Sequence, residues 1–262
     1  MFAVPSFFGF QKAGFGPTID PDAQAFFDRV TAAGGTLTGT EQTATNQLVL
    51  DMKAAGIWTA MRAVYPMVGA SAAACAQNLK SSSFTGSFSS GWTFASTGVT
   101  ANGTSAFMNS NFNANTNFSL TSFSFGGYSS TTVSSSGYHG ASVVPYLMHS
   151  FKSFNFVEFF TPGPTTYDQV AGGVLGMVQA NYVGTTSKLF TNNTLGSSNT
   201  GTVPSLPNLN MYIGAINSSG SPFVYDNHLV SYYYYADGLT DTQASDHYTA
   251  VQAFQTTLSR NV

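Results

Sequence analysis

The sequence predicts a mainly β protein: an antiparallel sandwich or jelly roll, with two helices before it and one after it. Between Phe84 and Ala236 the apolar periodicity is two, in short runs broken by turn residues, which is the pattern of half-buried strands. Outside that stretch the period lengthens to three and four, behind helix-start signals. The turns Asn102-Gly103, Asn192-Asn193, Ser219-Gly220 and Asp237-Gly238 are built from residues that tolerate positive φ.

The first helix opens at Asp20-Pro21, an N-cap acceptor followed by a proline whose missing N–H costs nothing there. Ala23, Phe26, Phe27 and Val30 form its apolar face, and Gly34-Gly35 end it. A second helix begins at Thr38, with Glu41 three residues on as a capping box. Ala44, Leu48, Met52 and Ala55 continue its face, and Ile57, Met61 and Val64 extend the pattern to Pro66. The last helix starts at Thr240 with Gln243, and Ala244, Tyr248, Val251, Phe254 and Leu258 make its stripe. Strands are expected over Thr104–Met108, Phe118–Tyr128, Phe154–Phe160, Val174–Val183, Ser187–Asn192, Asn210–Ile216 and Leu229–Ala236. The Ser/Thr/Gly runs at Ser81–Ser90, Ser129–Gly137 and Gly196–Gly201 read as loops or exposed strand faces. The expected organisation is an extended aromatic arm (1–19), a helical segment (20–66), the sandwich (67–239) and a C-terminal helix packed on it (240–262).

Charged residues make up only 7% of the 262, while hydrophobic ones are 43%, so a core can form beneath a neutral polar surface. Eight scattered basic residues at net charge −3 give no stripe to neutralise phosphates, which argues against nucleic acid as a partner. No run of about 18 apolar residues suggests a membrane span. The single cysteine, Cys75, excludes an internal disulfide and sits among alanines as a small core residue. The start resembles no signal peptide, which points to assembly from the cytoplasm.

Three stretches carry a family resemblance: Asp22–Phe27 with Gln47–Trp58 and Ala63–Gly69; Gly98–Phe107; and Leu206–Asn217 with Ala236–Asp241 and Tyr248–Leu258. They resemble a bacteriophage virion structural-protein family with a concanavalin A-like, laminin-G-type sandwich. The resemblance implies localisation in the virion, as capsid decoration, fibre or tail component, with other virion proteins as partners. It brings no catalytic residues. It leaves room for a structural calcium ion on loop Asp and Asn oxygens, with no ligands assigned; no other cofactor is expected.

A glycoside hydrolase, the remote alternative for this fold, needs two carboxylates about 5–9.5 Å apart. Only two glutamates occur: Glu41 caps a helix, and Glu158 has no acid at neighbouring alternate positions. Asp168 and Asp226 read as isolated loop residues, and His139, His149, His228 and His247 lack metal-ligand spacing. The chain is therefore expected to be a non-enzymatic, self-assembling structural protein. Candidate assembly contacts are Phe2, Phe7, Phe8, Phe10 and Phe15 of the arm, which must find cover on the domain's own flank or on a neighbouring subunit. Tyr232, Tyr233, Tyr234 and Tyr235 join them: two rings must face each side of the sheet, so the second face meets either a subunit or a helix of the same chain. The alternative is a glycan-binding adhesin for the host surface, with Trp92, Tyr128, Tyr138 and Tyr167 as candidate sugar contacts and Trp92 equally readable as core.

Overall fold

A computed structural model describes residues 18–131, 137–143, 146–152, 156–160, 167–171 and 175–262. The arm phenylalanines Phe2, Phe7, Phe8, Phe10 and Phe15 lie outside these residues, as do the side chains of Tyr138, Tyr167, His149 and Glu158.

In chain order come α1 (Pro21–Ala32), α2 (Gly39–Ala54), β1 (Met61–Tyr65), α3 (Ala72–Cys75), β2 (Ser87–Phe88), β3 (Trp92–Ala95), β4 (Gly98–Ala101), β5 (Met108–Asn113) and α4 (Ala114–Asn117). β6 (Ser122–Ser129), β7 (Gly137–Val143), β8 (Tyr146–Lys152), β9 (Phe156–Phe160), β10 (Tyr167–Ala171), β11 (Gly176–Val183), β12 (Thr186–Thr191) and β13 (Thr194–Thr200) follow. The chain continues through β14 (Asn210–Ile213), β15 (Ile216–Ser218), β16 (Ser221–Phe223), β17 (Leu229–Ala236) and α5 (Asp241–Thr257).

Two sheets form a concanavalin A-like sandwich. Sheet A has the order β13-β12-β11-β6-β17-β4-β3, with β1 also on β17. Sheet B has the order β10-β9-β8-β7-β14-β5-β2, with β15 on β7 and β16 on β15. Pairing is antiparallel except between β15 and β7.

The helices start where their caps predict. Asp20 accepts from the Asp22 N–H, and both capping boxes, Thr38 with Glu41 and Thr240 with Gln243, are closed. Glu41 is buried and also accepts the Gly69 N–H at 2.7 Å, so it fastens a distant turn as well as a helix end. The second helix is shorter than the apolar spacing predicts. Gly56 adopts φ 69° and ends it, and Met61–Tyr65 turn into β1, paired with Tyr233–Ala236. Ile57, Met61 and Val64 fit a helical step by coincidence; the strand wins because β17 offers its backbone a complete ladder.

The centre of sheet A is buried on both faces. Its inner face meets sheet B around Phe112, Phe123, Phe125, Met211, Ile213 and Tyr235. Its outer face meets α1, α2 and α5 around Phe26, Leu48, Val251, Tyr128, Tyr232 and Tyr234. The tyrosine run divides between the two: Tyr233 and Tyr235 enter the inter-sheet core, while Tyr232 and Tyr234 enter the helical layer. All four are at most 1% exposed within the single chain, so they are not assembly contacts. The cover on the second face is a helix of the same chain, and burying each ring is worth roughly 2–3 kcal/mol over exposing it. Gly127 makes this possible, because a Cβ there would stand 2.7 Å from the Tyr233 ring.

Candidate functional site

The helical layer closes the centre of the outer face of sheet A, whereas the outer face of sheet B takes no part in that layer. The helices α1, α2 and α5 pack in the cluster that holds sheet A, and no strand of sheet B contributes to it. On β5, Met108 and Phe112 point into the core, so Asn109 lies on the outer face. On β14, Met211 and Ile213 point inward and Tyr212 points outward. Tyr212 lies directly opposite Asn109 in register and opposite Gly140 of β7, where no side chain crowds it.

Phe107, just before β5, stacks on Tyr212 with ring centroids 4.6 Å apart and planes 24° from parallel. Tyr212 is mostly covered and Phe107 is half-buried, so Phe107 offers the accessible aromatic surface. Burial also raises the Tyr212 phenol pKa, keeping it a neutral hydroxyl. Asn109 spends its Oδ1 on the Asn111 N–H at 2.9 Å, and among the described residues its amide NH2 has no partner. Asn111 takes φ 57° at the register shift in this pair, and Asn113 donates to Asn208 Oδ1 at 3.0 Å. The face thus combines a stacked aromatic pair with a row of amides, and neither β5 nor β14 carries a charge.

The turn after β14 is held from beneath. The Gly214 N–H donates to His139 Nδ1 at 3.0 Å, and its carbonyl accepts the Asp226 N–H at 2.8 Å. His139 Nε2 faces Asp226 Oδ2 at 3.0 Å, while Asp226 Oδ1 accepts from the His228 ring and from the His228 N–H. Burial alone would raise the Asp226 pKa; hydrogen bonds from His139 and His228 outweigh it and hold the carboxyl far below the usual range. Gly214 has φ 86°, and a Cβ there would meet the Trp92 ring at 2.8 Å, so this position accepts no side chain. Asp226 is therefore no loop ligand, and both ring nitrogens of His139 are engaged. Among the described residues, no group of three or more His, Cys, Asp or Glu side chains is placed to hold a metal.

The predicted sugar contacts fare unevenly. Trp92 is half-buried against Phe88 at 5.2 Å and closes the rim of the inter-sheet core. Tyr128 is fully buried beneath α5, its hydroxyl bonded to Gln252 and Val262, and cannot reach a ligand. The side chains of Tyr138 and Tyr167 lie outside the described part. Sequence reading missed Phe107, Tyr212 and Asn109. The available signal was the row of asparagines at alternate positions 109, 111 and 113 beside an aromatic, which marks the outer face of a strand.

No protein-family profile and no curated protein matches the chain. Among solved structures, the Trypanosoma rangeli sialidase in complex with sialic acid is similar at TM-score 0.53 and 12% identity, over 72% of this chain and 33% of that one. A mutant of the same sialidase displaying trans-sialidase activity is similar at TM-score 0.52 and 12% identity, over 80% and 39%. The botulinum neurotoxin serotype D binding domain follows at TM-score 0.47 and 10% identity, over 74% and 52%. The chain thus spans between a third and two fifths of the sialidases it matches, and the two sialidase likenesses bear on the fold alone.

Proposed function

We propose that this chain is a glycan-binding sandwich module, displayed on a virion as the phage-family resemblance implies. The observation that carries the first part is the Phe107–Tyr212 stack bordered by the Asn109 amide on the outer face of sheet B. Sugar rings present an apolar C–H face that packs on an aromatic ring, with hydroxyls around the rim that take hydrogen bonds from amides. Because β5 and β14 bring no cation to this face, a neutral glycan fits it better than an acidic one.

The test is a glycan array holding neutral and sialylated sugars, probed with the full chain and followed by titration of any hit. Phe107→Ala is expected to weaken binding at least tenfold, about 1.4 kcal/mol, while the melting temperature stays near that of the parent. Failure of the full chain to bind any glycan at millimolar concentration, or equal binding by Phe107→Ala, overturns the reading.

A further inference from the structure

The far edge of sheet A carries a second surface, independent of the glycan face. β13 is the terminal strand, and among the described residues nothing pairs with its outer side. Its seven residues, Thr-Leu-Gly-Ser-Ser-Asn-Thr, include no charge and no proline, the devices that usually blunt an edge. The other terminal strands are shorter: β2 has two residues, β3 four, and β10 five including Asp168. Thr194, Leu195, Gly196, Ser198 and Thr200 are exposed, Leu195 at 47%.

The hydrogen-bonding phase of this edge follows from one contact. The Gly201 N–H donates to Thr185 O at 2.8 Å, in the same register as Thr186↔Thr200 through Leu189↔Ser197. Bonded and non-bonded pairs alternate along an antiparallel ladder, so Asn199 faces Ser187 in a bonded pair. Ser198 and Thr200 then occupy non-bonded pairs, with their N–H and C=O groups pointing away from β12. These outward positions are symmetric about Asn199.

We infer that β13 is a self-pairing edge, through which two copies of this chain join their A sheets antiparallel about a two-fold axis at Asn199. In that register Ser198 of one copy meets Thr200 of the second copy, and the reverse, so one geometry satisfies all the outward backbone groups. Ser–Thr cross-strand pairs are favourable, and β13 itself brings no charge to the contact; the nearby carboxylate, Asp168 of β10, is engaged by the Ser197 hydroxyl and the Asn199 amide, both at 2.9 Å. The two-fold contact is isologous and closes as a dimer, leaving neither β13 edge free to propagate a fibre. A register shift at Leu189/Phe190 kinks the strand before Ser197, which confines the contact to Ser197–Gly201. So small a contact predicts a weak dimer whose population depends on concentration.

Sedimentation velocity of the full chain from about 1 to about 200 μM tests this. The expected result is a dimer fraction that rises across that range. Ser198→Pro and Thr200→Pro each delete an outward N–H while sparing the backbone bonds to β12, although Ser198→Pro also removes the hydroxyl that donates to Ser187 O at 3.0 Å; each is expected to weaken self-association at least tenfold. Should either proline variant lower the melting temperature, Ser198→Lys, which charges the same edge, decides in its place. A parent chain that stays monomeric at the top concentration overturns the inference. So does an oligomer that Ser198→Lys leaves intact, which would place the contact elsewhere on the chain.

Discussion

His247 is fully buried between layers, donating from Nδ1 to Gln179 Oε1 at 3.0 Å and accepting the Tyr232 hydroxyl at Nε2 at 2.9 Å. The Gln179 amide is oriented by its own bond to Ala244 O at 3.0 Å, which assigns the imidazole tautomer. Burial lowers the His247 pKa to about 3, from 6.5 in a free side chain. The unfolded chain then takes up a proton below pH 6.5 that the folded chain refuses until about pH 3. Its stabilisation is complete above that window and is lost as pH falls through it, with a limiting slope of about 1.4 kcal/mol per pH unit. Asp226, whose pKa is also lowered, acts in the same direction, but its contribution is lost only as pH falls below the usual carboxylate range and is common to parent and variant, so it does not alter the gap between them. Urea unfolding between about pH 7 and about pH 4 is expected to show the gap between parent and His247→Gln narrowing on acidification. Parallel curves would refute a neutral buried imidazole.

At the scale of elements, α5 is fixed by more than its apolar face. Arg260, just beyond it and only 4% exposed, donates to Met67 O at 2.9 Å, Pro66 O at 3.2 Å and Ser231 O at 3.1 Å, and to Gln255 Oε1 at 2.9 Å. Burial lowers its pKa to about 10, yet the guanidinium remains charged at neutral pH. Arg260→Ala strands three main-chain carbonyls and is expected to cost about 3–5 kcal/mol in chemical denaturation. Arg260→Lys should recover only part of this, because an ammonium cannot span the same fork. A loss under about 1 kcal/mol for Arg260→Ala would mean that water replaces the side chain freely. Helix starts were legible in the sequence because a cap is a local event: Thr38 and Glu41, or Thr240 and Gln243, lie three residues apart. β1 was not, since its strand form depends on β17, some 170 residues later. The same holds for the candidate site. Phe107 and Tyr212 meet only through the β5–β14 register; the alternating asparagines beside Phe107 mark an outer strand face but say nothing of the strand that lies against it. The tyrosine run was half legible: its alternation gave burial on both faces, but the identity of the second cover required the helical layer.

Over the whole molecule, stability rests on apolar burial and backbone pairing more than on charge. The ion pairs of Lys53 with Asp20 and Asp22, Arg62 with Asp237, and Lys188 with Asp241 each include a partly exposed partner. Screening should therefore change little, and the melting temperature is expected to move by less than about 3 °C between low salt and about 1 M NaCl. A drop well beyond that in a calorimetric scan would assign the surface pairs a larger share. The self-paired edge, made of backbone hydrogen bonds, should be equally indifferent to salt.

The strand β17 serves two cores at once, and this has a bearing on how its sequence can drift. An ordinary surface strand has a tolerant side, where every second codon is free to vary. Here Tyr232, Tyr233, Tyr234, Tyr235 and Ala236 are all sealed, on alternating faces. No position among them offers a neutral path, and each change on one face must be absorbed without disturbing the neighbour that fills the other. The segment is the part of the chain least able to record its history, and the one whose identity a random library should restore most completely.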